Sequence, residues 1–360
     1  DSYHTTPRVI SEDDRMNTTQ IQVTRSSRAS MIAMWIGLVI LVILIAAPWW
    51  AGRSDMRLMG EMLLFLSLAS LWNLMAGYAG LVSVGQQAYV GFGGYILFSL
   101  TIFSGMHPAV ALIGSGVLGA LIAIPIAMLV FRLRGAYFAI GTWVVAEVFR
   151  LSFAQVSSLG GGSGTSLPIS IVKSIATSRA MREWLSYWLA LGLAVAVIAA
   201  VFFFLRSRKG LALSAIRDNE LAASSLGIDI WRTKLLVYVT TASLTSMVGA
   251  LIFLQKLRIS PDAAFSVNDW TAVVIFIVVI GGIGTLEGPI IGTLVFFALR
   301  ETLSDLGTLY LITMGLVAIV VMLKAPKGLW GIACSYWNIQ LFPLGFRVLQ
   351  PTSKKGINNE

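Results

Sequence analysis

From residue 31 onward the sequence is a succession of apolar runs, most of them near the 20 or so residues a helix needs to cross the hydrocarbon core of a bilayer. The runs cover 31–50, 58–77, 81–103, 108–131, 136–157, 184–205, 235–254, 270–284, 288–304 and 308–323, the eighth and ninth being short. They are continuous rather than alternating, which argues against membrane-spanning strands. The expected fold class is an all-α membrane protein of about ten transmembrane or re-entrant helices.

Composition and charge narrow the reading further. Of the 360 residues, 57 % are hydrophobic and 12 % charged, against about 25 % charged in soluble domains. That excludes an ordinary soluble enzyme, a disordered chain and a nucleic-acid-binding module. The net charge of +9 comes from 26 Lys and Arg spread among the apolar runs. With the N-terminus placed inside, about two-thirds of them fall in inner loops and tails, so both termini are expected to be cytoplasmic. The single cysteine, Cys334, excludes an internal disulfide, and His4 and His107 are too few for a histidine-based metal cluster. The first run is longer than a signal-peptide core and lacks a small-residue cleavage pattern, so it is expected to be a retained span. Polar tails at 1–30 and 332–360 flank the expected membrane domain at 31–331.

Two glycine-interrupted segments stand out. Residues 77–95, GYAGLVSVGQQAYVGFGGY, carry Gly85, Gln86, Gln87 and Gly91 inside an apolar run. Residues 278–297, VVIGGIGTLEGPIIGTLVFF, carry Gly281, Gly282 and Pro289. Glycines either let a helix unwind beside a path or let helices pack closely. One such segment in each half of the chain points to a structural repeat around a central pathway. Glu287, between two spans, is expected to be a solvated turn residue. Glu147 and Arg150, three apart, share a helix face and can pair; such a pair either braces a helix contact or faces a pathway. Glu61 and Asn73 are further polar candidates in the second span.

The longest inner loop, 206–234, contains SRKGLALSAIRDNELAASSLGIDIWRTK. Leu213, Ile216, Ala223 and Leu226 are expected on one face of a short amphipathic helix that stops at Gly227. Such a helix either inserts into a groove on a partner or lies on the membrane surface. The chain has no G-x-x-x-x-G-K-[ST] phosphate loop and no HExxH, so no enzymatic activity, bound cofactor or metal is expected.

The loop 210–234, GLALSAIRDNELAASSLGIDIWRTK, resembles the coupling loop of permease subunits of bacterial ABC importers for branched-chain amino acids, of the LivM type. GLVSVGQQAYVGFGGY (80–95), FRLRGAYFAIGTWVVAEVFR (131–150), VVIGGIGTLEGPIIGT (278–293) and MLKAPKGLWG (322–331) resemble the same family in the same order. The resemblance implies a permease of the bacterial inner membrane that works with a second, homologous permease, two ATP-hydrolysing cassette subunits and a periplasmic binding protein. It implies that Arg217, Glu220, Ala222, Ala223 and Gly227 dock on an ATPase. Asn219 and Gln86 depart from the family pattern, which more often has an acidic residue and a histidine at these places. Gly85, Gln86, Gln87, Gly91, Glu147, Gly281 and Gly282 are the candidates for the translocation path. Related permeases carry urea or short amides, and a gradient-driven transporter is a competing reading that leaves the loop unexplained.

Overall fold

The computed structural model describes residues 22–24, 28–176, 178–303, 309–325, 327–337 and 347–349. The chain falls into a unit of residues 37–339 and a second of 1–36 with 340–360. Most of the expected tails lies outside the described residues. Within the second unit, strands Gln22–Thr24 and Arg347–Leu349 pair antiparallel, Val23 opposite Val348.

Helix α1 spans Arg28–Ile45, α2 Ala47–Trp50 and α3 Arg53–Asn73, which continues as a π-helical turn over Leu74–Tyr78. Then follow α4 (Gln86–Phe103), α5 (Pro108–Val130) and α6 (Ala136–Ala154). After a short strand β1 (Thr165–Ser166) come α7 (Ile169–Ile175), α8 (Arg179–Arg206), α9 (Arg208–Asp218), α10 (Glu220–Ser225) and α11 (Ile230–Lys256). Strand β2 (Arg258–Ile259) pairs with β1. A helical turn α12 (Pro261–Ala264) and a second π-helical turn (Val267–Ala272) lead into α13 (Val273–Gly281). The last helices are α14 (Gly288–Leu303), α15 (Leu309–Lys324) and α16 (Gly328–Trp337).

Helix starts follow local chemistry. The Ser178 hydroxyl accepts the Met181 N–H, the Asp229 carboxylate accepts the Arg232 N–H, and Pro108 opens α5 behind His107. Each cap satisfies a backbone donor that the first helical turn cannot. Among the described residues, seven helical stretches are long and apolar enough to cross a membrane: Arg53–Tyr78, Pro108–Val130, Ala136–Ala154, Arg179–Arg206, Ile230–Lys256, Pro261–Gly281 and Ile312–Tyr336. The chain is an all-α membrane protein, the strands among the described residues being two very short pairs.

The core forms where α11 packs against α4 and α5, with α3 and α8 alongside. Trp72, Tyr95, Phe98 and Phe253 are fully buried there. The bundle has two distinct ends. One carries the β1–β2 pair, α12 and the starts of α3 and α8, where Arg53 pairs with Glu183 and Gln255 donates to the Ser186 carbonyl. The other carries α9, the π turn at Leu74–Tyr78 and the turn at 282–287, joined by Arg217.

Three sequence expectations change. The expected span 81–103 is helical only from Gln86, because residues 79–85 leave the helix and run as irregular chain. Glu287 is buried, not solvated, in a turn whose first residue, Gly282, packs against Gly328 at the start of α16. Leu226 does not share the buried face of Leu213, Ile216 and Ala223: it is 78 % exposed, because α10 ends at Ser225 and Leu226 lies just past its last turn.

Candidate functional site

The first break is built by local hydrogen bonding inside the bundle. After the π turn the chain runs back along α3, and side chains replace the missing helical bonds. The Trp72 indole donates to the Ser83 carbonyl at 2.8 Å, and the Val84 N–H donates to the Thr142 hydroxyl of α6 at 3.1 Å. The Gly85 N–H donates to the Ser83 hydroxyl at 3.1 Å, and the Gln86 amide donates to the Leu68 carbonyl at 3.0 Å. Irregular backbone away from water is tolerated only with such partners. Gly85 is required by space, because a Cβ there would overlap the Thr142 carbonyl. Gly91 abuts the Phe265 ring, and Gly281 abuts the backbone of Gly288 and Gly292. These three glycines serve close packing, while Gly282 closes α13 with a φ of 133°.

Gln86 and Gln87 lie at the start of α4 and are buried. The Gln87 N–H donates to the Thr271 hydroxyl at 3.2 Å, and that hydroxyl donates to the Gln87 side-chain oxygen. Thr271 belongs to the second π turn. The opposite side-chain atoms, Gln86 Oε1 and Gln87 Nε2, have no hydrogen-bond partner among the described residues.

The two breaks are clamped to each other. The Asn73 side chain accepts the Gly284 N–H at 2.8 Å and donates to the Thr285 carbonyl at 2.7 Å. Asn73 is the last residue before the first π turn and is 2 % exposed. Gly77 and Gly284 meet so closely that a Cβ on Gly77 would overlap the Gly284 backbone. Each half therefore grips the other reciprocally. The end of α3 holds the second break through Asn73, and the second π turn holds the first break through Thr271. π-Helical turns interrupt regular helix bonding and recur at functional positions.

The helix pair α9–α10 attaches to this clamp. Arg217 Nη1 donates to the Gly77 carbonyl at 3.1 Å, and the same guanidinium pairs with Asp218 at 3.3 Å. Leu213 and Ile216 anchor α9 in the core. The Asn219 side chain accepts the Leu221 and Ala222 N–H groups at 3.0 and 3.1 Å, starting α10 as a new helix. Glu220 pairs with Lys234 of α11. Of the five loop residues singled out from sequence, Arg217, Glu220, Ala222 and Gly227 lie at the surface and Ala223 is buried. Sequence reasoning passed over Leu221, which is 82 % exposed at the start of α10, as Leu226 is 78 % exposed just past its end.

Glu147 lies elsewhere, toward the β1–β2 end. Arg150 Nε and Nη2 donate to its carboxylate at 2.6 to 3.1 Å, and Arg150 Nη1 donates to Asp262 at 2.7 Å. The i, i+3 pairing was legible; Asp262, more than a hundred residues away in the chain, was not. A second ion pair braces α3, where Arg300 donates with both terminal nitrogens to Glu61 at 2.8 and 2.9 Å.

A family model described as "Branched-chain amino acid transport system / permease component" matches residues 57–325, which include both breaks, the clamp and α9–α10. The chain belongs to this permease family. It is 26 % identical over 312 residues to the high-affinity branched-chain amino acid transport system permease protein LivM of Salmonella typhimurium, covering 81 % of this chain and 73 % of that protein. LivM of Escherichia coli is 25 % identical over the same shares. LivH of Escherichia coli, a permease protein of a system described in the same words, is 32 % identical over 142 residues, 38 % of this chain and 44 % of LivH. The permease is thus of the LivM type.

Proposed function

We propose that this permease is the membrane subunit of an ATP-driven importer that carries branched-chain amino acids inward across the bacterial inner membrane. It works with a second homologous permease, two ATP-binding cassette subunits that hydrolyse the ATP, and a periplasmic binding protein. The α9–α10 end is cytoplasmic, as are both termini, in line with the distribution of Lys and Arg. One observation carries the mechanism: α9 is tied through Arg217 to Gly77, and Gly77 touches Gly284, so a single loop reaches both helix breaks.

An ATPase that grips α10 by Leu221 and Leu226 pulls on α9. Arg217 passes that displacement to the π turn, and Asn73 passes it to the 282–287 turn. Both helix breaks then respond to one displacement at the α9–α10 end, which is where rocking of one half against the other would begin. The chain supplies the pathway and the linkage, and the partners supply the chemical energy.

The test is a tagged purification from native membranes in mild detergent, followed by leucine uptake into proteoliposomes. Recovery of a second permease with P-loop ATPases, and uptake that stops when ATP is withheld, supports the proposal. Recovery of the chain alone, with uptake that persists without ATP, overturns it in favour of a gradient-driven transporter.

A further inference from the structure

The start of α4 lies deep inside the bundle. The Gln86 amide donates to the Leu68 carbonyl of α3. Leu68 is about 15 Å along the helix axis from the Tyr78 end of a 26-residue stretch that begins at Arg53. A helix of 18 residues that begins at this depth turns the positive end of its dipole into the interior of the bundle.

The two amides of its first turn are each fixed at one end and unpaired at the other. The Leu68 carbonyl can only accept, so the Gln86 nitrogen faces it and Oε1 faces away. The Thr271 hydroxyl accepts the Gln87 N–H and gives its own proton to the Gln87 side-chain oxygen, so Nε2 faces away. Gln86 is 3 % exposed and Gln87 0 %, and the two remaining atoms, one acceptor and one donor, have no partner among the described residues. Buried polar atoms in this state call for a ligand or a water. The unpaired Thr241, Thr245 and Ser246 hydroxyls of α11 differ, because a hydroxyl in a helix can turn to the carbonyl four residues back. Both partners of the amides are neutral, and an aromatic pair lies beside them. Trp270 precedes Thr271 in the second π turn, and Phe65 shares the face of Leu68 on α3. The two rings stack at 5.9 Å and are buried.

We infer that the first turn of α4 holds the zwitterionic head of an apolar amino acid in transit: its carboxylate on Gln87 Nε2 and the α4 N-terminus, its ammonium on Gln86 Oε1, and its side chain against Phe65 and Trp270. The inference rests on the importer reading above and gives the substrate an orientation within it. A helix N-terminus favours a carboxylate. Neutral partners suit a head whose two charges cancel, whereas a dibasic or dicarboxylic amino acid brings net charge that nothing here balances. Urea and simple amides offer a donor and an acceptor, but no carboxylate for the helix end and no apolar body for the aromatic pair. The site is closed in this structure, with both amides buried. A shift of the second π turn, whose helical bonding is already interrupted, withdraws Thr271 and Trp270 together and opens it.

The probe is photo-leucine, a leucine analogue with a diazirine in its side chain, applied to the complete complex with its co-purifying subunits in proteoliposomes. Irradiation during ATP-driven turnover is expected to label Phe65, Trp270 or the first turn of α4, as mapped by mass spectrometry. Excess leucine is expected to suppress the label, and excess urea or acetamide to leave it. Gln87→Met removes the donor and is expected to lower the maximal rate of leucine uptake about 10- to 100-fold, the effect of losing a hydrogen bond to a charged group. The half-saturating concentration of loaded binding protein should stay unchanged and ATP hydrolysis should continue, which a merely structural role would not produce. Label confined to other parts of the chain, or suppression by urea as strong as by leucine, overturns the inference. Wild-type uptake by Gln87→Met also overturns it, and the two amides then hold water only. The label on the wild type and the rate of the variant are independent, so either decides where the other gives no signal. If the wild-type complex shows no ATP-driven leucine uptake at all, the importer reading itself fails.

Discussion

Replacing Asn73 tests whether the two helix breaks move as one. Asn73→Ala removes the acceptor of the Gly284 N–H and the donor to the Thr285 carbonyl. Each hydrogen bond contributes about 0.5–1.5 kcal/mol net, and each partly buried group left unpaired costs about 1–3 kcal/mol. With two groups left unpaired the clamp weakens by about 2–6 kcal/mol, which corresponds to a ~30- to 25,000-fold rise in local opening of the 282–287 turn. Amide hydrogen exchange of peptides covering that turn, measured on the assembled complex, reads this directly. Asn73→Leu keeps the volume and removes both hydrogen bonds, so it separates bonding from packing. Both variants are expected to exchange faster at 282–287, and ATP consumption should continue while leucine uptake falls. Wild-type protection of the turn in the leucine variant would refute the reasoning, because the clamp would then be a packing contact.

Other perturbations follow from the same geometry. Ala223→Leu crowds a fully buried position, and overpacking of about 1–3 kcal/mol should lift α10 from α11; insertion should be unchanged and ATP-driven uptake lost, as measured in proteoliposomes. Gly227 has a φ of 79° and open space at the Cβ position, so Gly227→Ala should cost about 1 kcal/mol and preserve uptake. Gly227→Pro cannot adopt that φ and should abolish co-purification of the ATPases. Arg300→Ala leaves the partly exposed Glu61 without its bidentate partner, and loss of about 1–2 kcal/mol should lower the melting temperature of the purified chain by a few degrees. Gly85→Ala drives a methyl group into the Thr142 carbonyl, and reduced membrane yield is the expected readout.

The fold class was legible because burial in lipid writes itself into run length, and no partner knowledge is needed to read it. The two glycine-rich breaks were legible for a similar reason, since glycine clusters stand out in apolar helices. What the first break joins was not. Asn73 and Gly284 are more than two hundred residues apart in the chain, and nothing local marks an asparagine that caps another helix's turn. The roles within the breaks were also mixed in ways spacing cannot show. Gly85, Gly91 and Gly281 mark close contacts, whereas Gln86 and Gln87 bear the polar groups. In the loop, periodicity was read as one helix, and Asn219 divides it. Leu221 and Leu226, both beyond that division, are exposed, which the single-helix reading hid.

The irregular segment 79–85 also bears on how the chain is made. Among the described residues, its Val84 N–H is satisfied by Thr142 alone, which is synthesised almost sixty residues later. Until α6 emerges from the ribosome, α3 and α4 carry an unmet backbone donor and cannot settle in lipid as a finished hairpin. They are expected to wait beside the insertion machinery until Thr142 arrives, so the order of synthesis becomes a step in assembling the pathway. A chain stalled before residue 142 should remain crosslinkable to the translocon, and one stalled after α6 has cleared it should be released.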